Sequence, residues 1–122
     1  MSYDIELICP VTGEILELDE LHQMKGGTYA VSGTSAAALN ITYNYSKHYY
    51  PLFQEIGYDN GIRSIYGLTG AESIHVLQMV IAKLKDDVDR EYWKPTEGNA
   101  KKALTQLLAL AKMHPDSVWA GD

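Results

Sequence analysis

The first twenty residues alternate between apolar and polar. In YDIELICPVTGEILELDE, Tyr3, Ile5 and Leu7 fall on one side of an extended chain, and Leu16 and Leu18 meet them from a second run beyond Pro10-Val11-Thr12-Gly13, a cluster with turn chemistry. The pattern predicts a β-hairpin whose opposite face is crowded by Asp4, Glu6, Glu17 and Asp19. GGTYAVSGT predicts a short third strand bounded by glycines, reached through a loop from Gln23 to Gly27. From Leu39 to Tyr45 the alternation is strict, with Leu39, Ile41, Tyr43 and Tyr45 on one side and Asn40, Thr42 and Asn44 on the other, which predicts a half-buried strand. A helical face through Leu39, Tyr43, Ser46, Tyr50 and Phe53 can also be drawn. Pro51 decides between them, because it would disrupt a helix begun near Leu39 but fits the first turn of a short helix running to Gly57.

Beyond that point the period changes from two to between three and four. GIRSIYG predicts a short helical turn. Thr69-Gly70-Ala71-Glu72 is a capping box, so a helix begins there, with a core-facing stripe of Ile74, Leu77, Ile81, Leu84 and Val88 widened by Met79 and Val80. After the acidic loop KDDVDREYWKP, Thr96 caps a second long helix with an apolar face of Ala100, Ala103, Leu104, Leu107, Leu108 and Ala111. Pro115 ends it and leaves Val118 and Trp119 to pack back on the core. The expected architecture is one α+β domain over residues 1–122, mainly strands to residue 45 and mainly helices from residue 46, with an N-terminal antiparallel sheet of three or four strands packed against C-terminal helices.

Charge sharpens the picture. The formal net charge is −6. Residues 1–20 carry Asp4, Glu6, Glu14, Glu17, Asp19 and Glu20 and no Lys or Arg, while the rest of the chain holds ten acids against ten bases, so the whole excess lies in the leading segment. Lys and Arg do not cluster as phosphate binding requires, which argues against direct contact with nucleic acid. No apolar run approaches the roughly 18 residues that span a bilayer, and the Met1-Ser2-Tyr3-Asp4 start does not resemble a signal peptide, so no membrane association and a cytoplasmic location are expected. The lone Cys9 excludes an internal disulfide and a cysteine-based zinc site. The N-x-S/T triplets at Asn40 and Asn44 are read as chance.

Motifs for chemistry are sparse, and no cofactor or metal is called for. His22, His48, His75 and His114 lie too far apart for paired ligation. Asp87, Asp89 and Glu91 imitate the opening of an EF-hand, yet Tyr92 stands where that loop needs glycine and Gly98 where it needs glutamate. Gly67 and Gly70 before a helix could cradle an anion, but Glu72 already supplies a carboxylate. Ser46 and His48 lack an elbow and an orienting third group, so no catalytic residue is assigned. Two binding features remain. One is the tyrosine-rich centre, in which Tyr43 and Tyr45 are assigned to the core and Tyr49, Tyr50, Tyr58 and Tyr66, with Arg63, to a groove, Tyr49, Tyr50, Tyr58 and Arg63 being the candidate contacts. The other is the acidic face of Asp4, Glu6, Glu17 and Asp19, where like charges on neighbouring strands repel and imply a cationic partner; a merely solvated face is the blander account.

Three blocks, NITYNYSKHYY, GIRSIYGLTGAESI and EGNAKKALTQLLALAKMHPDSVWAGD, together resemble small proteins encoded by bacteriophages, prophages and other mobile elements of gut bacteria. The resemblance brings no catalytic motif or ligand residue. It implies a setting, an accessory protein made inside a bacterial host, and with the acidic surface it points to a non-enzymatic protein that binds a basic host protein and inhibits a defence or nucleic-acid-handling system. The alternative is a small-ligand protein, an enzyme or a sponge for a nucleotide-like signal, with a pocket of tyrosines and Arg63. A homo-oligomeric structural accessory is the third expectation.

Overall fold

The computed structural model describes residues 1–22 and 34–122. Among the described residues five strands and three α-helices follow in the order β1 (Ser2–Ile8), β2 (Glu17–His22), β3 (Thr34–Ala36), β4 (Ala38–Thr42), α1 (Ser46–Glu55), α2 (Gly70–Ile81), α3 (Glu97–Met113) and β5 (Val118–Gly121). The fold is α+β. A three-stranded antiparallel sheet has the order β4-β1-β5, and β2 and β3 form a separate antiparallel pair. The expected loop from Gln23 to Gly27, and nearly all of the predicted strand GGTYAVSGT, lie outside the described residues. Among the described residues no helix is long and apolar enough to cross a membrane.

The predicted hairpin is corrected in its partners. Its turn closes as expected, with the Gly13 amide donating to the Cys9 carbonyl at 2.8 Å and the Cys9 amide to the Glu14 carbonyl at 2.9 Å. A single bridge joins Ile8 to Ile15, and then the strands part. The cause lies at Leu16, whose amide donates to the Leu7 carbonyl while its carbonyl accepts from Ala37. Leu16 thus wedges between β1 and the β3–β4 corner, and β2 continues against β3, with Glu17 opposite Ala36. Both flanks of β1 are filled from later in the chain. Asp4 faces Asn40 of β4, and Glu6 faces Ala38 of β4 and Ala120 of β5.

The strand predicted to reach Tyr45 stops at Thr42. There the Thr42 hydroxyl accepts from the Asn44 amide at 3.3 Å, and Tyr43–Tyr45 turns as a 3₁₀ helix. Helix α1 starts at once, so Pro51 lies inside it and not in its first turn. The α-helical run nevertheless begins after the strand. The cap predictions hold: Thr69 and Glu72 exchange both hydrogen bonds of the capping box, and Thr96 accepts from the Asn99 amide.

The buried faces of the helices are rotated from those the hydrophobic pattern draws. On α2 they run through Gly70, Ser73, Val76, Leu77 and Val80, with Leu84 buried past the helix end, while Met79 and Val88 are exposed. On α3, Leu110 is buried where Leu108 was expected. Small and polar residues explain the difference, since Ser73, Gly98 and Asn99 take inward positions that an apolar pattern ignores. One core gathers Tyr3, Ile5 and Leu7 of β1, Leu39 and Ile41 of β4, Trp119 of β5 and the helix faces. Trp119 is the tie between layers: its indole N–H donates to Ser73 Oγ at 2.7 Å, and Ser73 donates onward to the Gly70 carbonyl at 2.8 Å. Leu68 and Gly67 hydrogen-bond the Trp119 backbone, so the outer edge of β5 is covered.

Candidate functional site

Arg63, in the 3₁₀ turn Gly61–Ile65, is the centre of a cluster drawn from four distant segments. Its guanidinium carbon lies 4.8 Å from the centre of the Tyr3 ring and 5.6 Å from that of Tyr43. The rings of Tyr3 and Tyr43 meet edge to face at 4.6 Å. Arg63 Nη2 donates to the Tyr43 hydroxyl at 3.1 Å, and Nε donates to the Asp122 main-chain oxygen at 2.8 Å. A planar cation held between ring faces and two acceptors is fixed in direction, which a lysine would not be.

The rim of this cluster is acidic. The Asp122 carboxylate accepts from the Asp4 amide at 2.9 Å, and Asn40 Nδ2 donates to the Asp4 carboxylate and to Ser2 Oγ. The Tyr66 ring closes the rear against Gly121, where an added Cβ would come within 2.5 Å of the Tyr66 hydroxyl and 2.6 Å of the Asp4 carbonyl. The Tyr66 hydroxyl is buried with no hydrogen-bond partner among the described residues, and burial first, then the Asp122 carboxylate, push its pKa up to about 12. Burial also raises that of Tyr3, against the lowering effect of its hydrogen bond with Ser46 Oγ.

The predicted contact residues separate. Tyr49 is fully buried; its hydroxyl donates to the Ala100 carbonyl at 2.8 Å, and burial holds its pKa well above the ordinary value. Its contact role is therefore corrected to a core role. Tyr45, Tyr49 and Phe53 recur every fourth residue and stack edge to face along the inner side of α1, a spacing that marks a core stripe. Tyr50 is 43 % exposed, flanks Tyr3 and lies over Gly61. Tyr58 is half-buried against the core, and no described contact joins it to Arg63. Tyr43, assigned to the core from sequence, is instead half-buried beside Arg63.

The four acidic residues are also divided. Asp4 and Glu6 lie on β1, where Asp4 meets the Arg63 cluster through Asp122, whereas Glu17 and Asp19 lie on β2. None of the four has an ion pair among the described residues. The ion pairs that are present join Lys83 to Glu55, Lys94 to Asp89 and Glu91, and Lys101 to Asp86.

The other chemical candidates resolve into structure. Ser46 meets Tyr3, and His48 Nε2 meets the Pro95 carbonyl at 2.7 Å, so the two do not form a dyad. The amides near Gly67 and Gly70 are taken by the Trp119, Ser117 and Pro115 carbonyls and by Glu72. Among the described residues no group of acids, histidines and cysteine is arranged to hold a metal.

Sequence reasoning missed a second region, where the segment after α2 folds over α3. Asn99, 4 % exposed, accepts from the Asp89 amide at 2.9 Å and donates to the Glu91 and Lys94 carbonyls at 3.2 and 3.0 Å. The Asp87 carboxylate accepts from the Gly98 amide, and Asp89 Oδ1 from the Glu91 amide. These acids, expected to be solvated, lock the loop. The signal available in sequence was Gly98-Asn99, two poor helix formers one turn after a cap, which mark a close backbone approach. Two clefts open between loop and helix. One, of about 400 Å³, is lined by Asp86, Val88, Gly98, Lys101, Thr105 and Gln106, with Lys102 at its border. The other, of about 230 Å³, shares Val88 and Lys102 and adds Tyr45, Asp89, Arg90, Tyr92 and Asn99.

No family model matches the chain, and no curated protein or solved structure matches it.

Proposed function

We propose that the protein is a non-enzymatic accessory protein of phage or mobile-element origin, whose acidic face binds a host protein with a basic surface and thereby inhibits a defence or nucleic-acid-handling system. One observation carries the binding part: the carboxylates of Asp4, Glu6, Glu17 and Asp19 have no cationic partner among the described residues, while Asp86, Asp89, Glu91 and Glu55 do. Uncompensated like charge disfavours the compact state and is relieved by a complementary surface, which it also steers into contact. Tyr50 and the outer edge of Arg63 supply the apolar and planar contacts beside Asp4.

Pull-down from a bacterial lysate with the native chain, and with a chain carrying D4K, E6K, E17K and D19K, tests the proposal. A basic protein retained by the first and lost from the second is the expected result. Equal retention by both would remove the acidic face from recognition.

A further inference from the structure

The two clefts over α3 adjoin each other at Val88 and Lys102. We propose that they form one site for a small amphipathic organic anion, whose apolar body lies against Val88 and Gly98 and whose sulfonate, carboxylate or phosphate lies between Lys102 and Arg90. The site is separate from the acidic face and does not rest on the function proposed for it.

The volumes, about 400 and 230 Å³, together fall in the range of small-molecule sites. The wall is apolar where the body would lie. Val88 is 57 % exposed, beside Gly98 and the stems of Lys101 and Lys102. Charge selects the other end. Asp86 is engaged by Lys101, Asp87 by the Gly98 amide, and Asp89 and Glu91 by Lys94. Each acid of the loop thus has a partner, whereas Arg90 and Lys102 have no ion pair among the described residues. Gln106 also lines the larger cleft, and its Oε1 is buried with no hydrogen-bond partner among the described residues. The Asn99 hydrogen bonds hold the loop in place beforehand, so little ordering accompanies binding.

The test uses the full chain and the fluorescent aromatic sulfonate 1-anilinonaphthalene-8-sulfonate, with native circular dichroism required of every variant. Saturable binding to one site is expected, with amide shifts in NMR at Val88, Gly98 and Thr105. Arg90→Glu combined with Lys102→Glu should weaken the affinity at least tenfold, while Lys112→Glu, in the last turn of α3 and outside both clefts, changes it less than twofold. If the double variant does not fold, Arg90→Gln with Lys102→Gln should still weaken binding severalfold. Equal affinity for the native and charge-altered chains, or shifts confined to other residues, would overturn the proposal. So would displacement of the dye by inorganic phosphate as readily as by decanoate or adenosine 5′-monophosphate, since an apolar body would then play no part. Binding of an acidic peptide without any binding of the dye would also overturn it, and would assign the clefts to a protein partner.

Discussion

The guanidinium of Arg63 stands 4.8 Å over the ring of Tyr3, and so joins the first strand to a 3₁₀ turn sixty positions later. The contact is more than a surface ion pair, because the same side chain donates to Tyr43 and to the Asp122 main chain. Arg63→Lys keeps the charge but loses the plane and the fork of donors. It should lower the urea midpoint with the slope unchanged, and Arg63→Ala should lower it further. Unfolding curves followed by circular dichroism check this, and coincident midpoints for all three chains would show that the cluster adds nothing to stability.

Asn99 is the polar hinge of the second region. Asn99→Ala removes three hydrogen bonds from a buried position and leaves the Asp89 amide and two carbonyls unsatisfied, so a loss of about 2–4 kcal/mol is expected. Hydrogen exchange locates the effect: the Asp89 amide should lose protection far more than amides at the centre of β1. Uniform loss across both would mean that the loop is not a separate unit.

Gly98 sets two effects against each other. Inside a helix, Gly→Ala ordinarily gains about 1 kcal/mol from propensity. Here an added Cβ would come within 2.5 Å of the Asp87 carbonyl carbon and 2.7 Å of its nitrogen, and the backbone has no rotamer by which to escape. Overpacking of this kind costs typically 1–3 kcal/mol. Gly98→Ala should therefore destabilise the protein by up to about 2 kcal/mol, and a gain in stability would show that the loop yields freely.

Tyrosine ionisation gives a pH signature. Burial raises the pKa of Tyr45, and that of Tyr66, to about 12 from the ordinary value of 10.0. Between these values the unfolded chain has released protons that the folded chain retains, so the slope of stability against pH is negative. Stability from these groups is complete below pH 10.0 and is lost as the pH rises towards about 12. Absorbance of tyrosinate should show exposed tyrosines ionising first, with a late fraction whose appearance coincides with unfolding. A single titration of every tyrosine near 10.0 would contradict the burial of these hydroxyls.

Legibility in the sequence followed the range of the interaction. The Thr69–Glu72 capping box and the Thr96 cap are settled within three residues, and both stand as read. The alternation of Tyr3, Ile5 and Leu7 likewise fixes which face of β1 is buried, whatever strand lies beside it. Pairing does not follow from alternation. The flank of β1 expected for residues near Leu18 belongs to β4 on one side and to Val118–Gly121, at the other end of the chain, on the other. Tyr49 belongs to the core because the four-residue spacing of Tyr45, Tyr49 and Phe53 sets one helix face, which outweighs the density of tyrosines around it. The Arg63 cluster needed Tyr3 and Asp122 to be brought beside the 3₁₀ turn, and the loop acids needed Gly98 and Asn99 as partners. Of those meetings only the second leaves a local mark, the Gly98-Asn99 pair in the first turn of α3.

The association rate of the native chain with its captured partner, measured against ionic strength, bears most directly on the acids of β1 and β2, which have no ion pair among the described residues. The native rate should fall steeply as salt screens the field over about 10 Å at 0.1 M, and Asp4→Lys with Glu17→Lys should be slower by roughly tenfold at low salt and much less salt-dependent. Identical rates and identical salt slopes for the two chains would contradict the account.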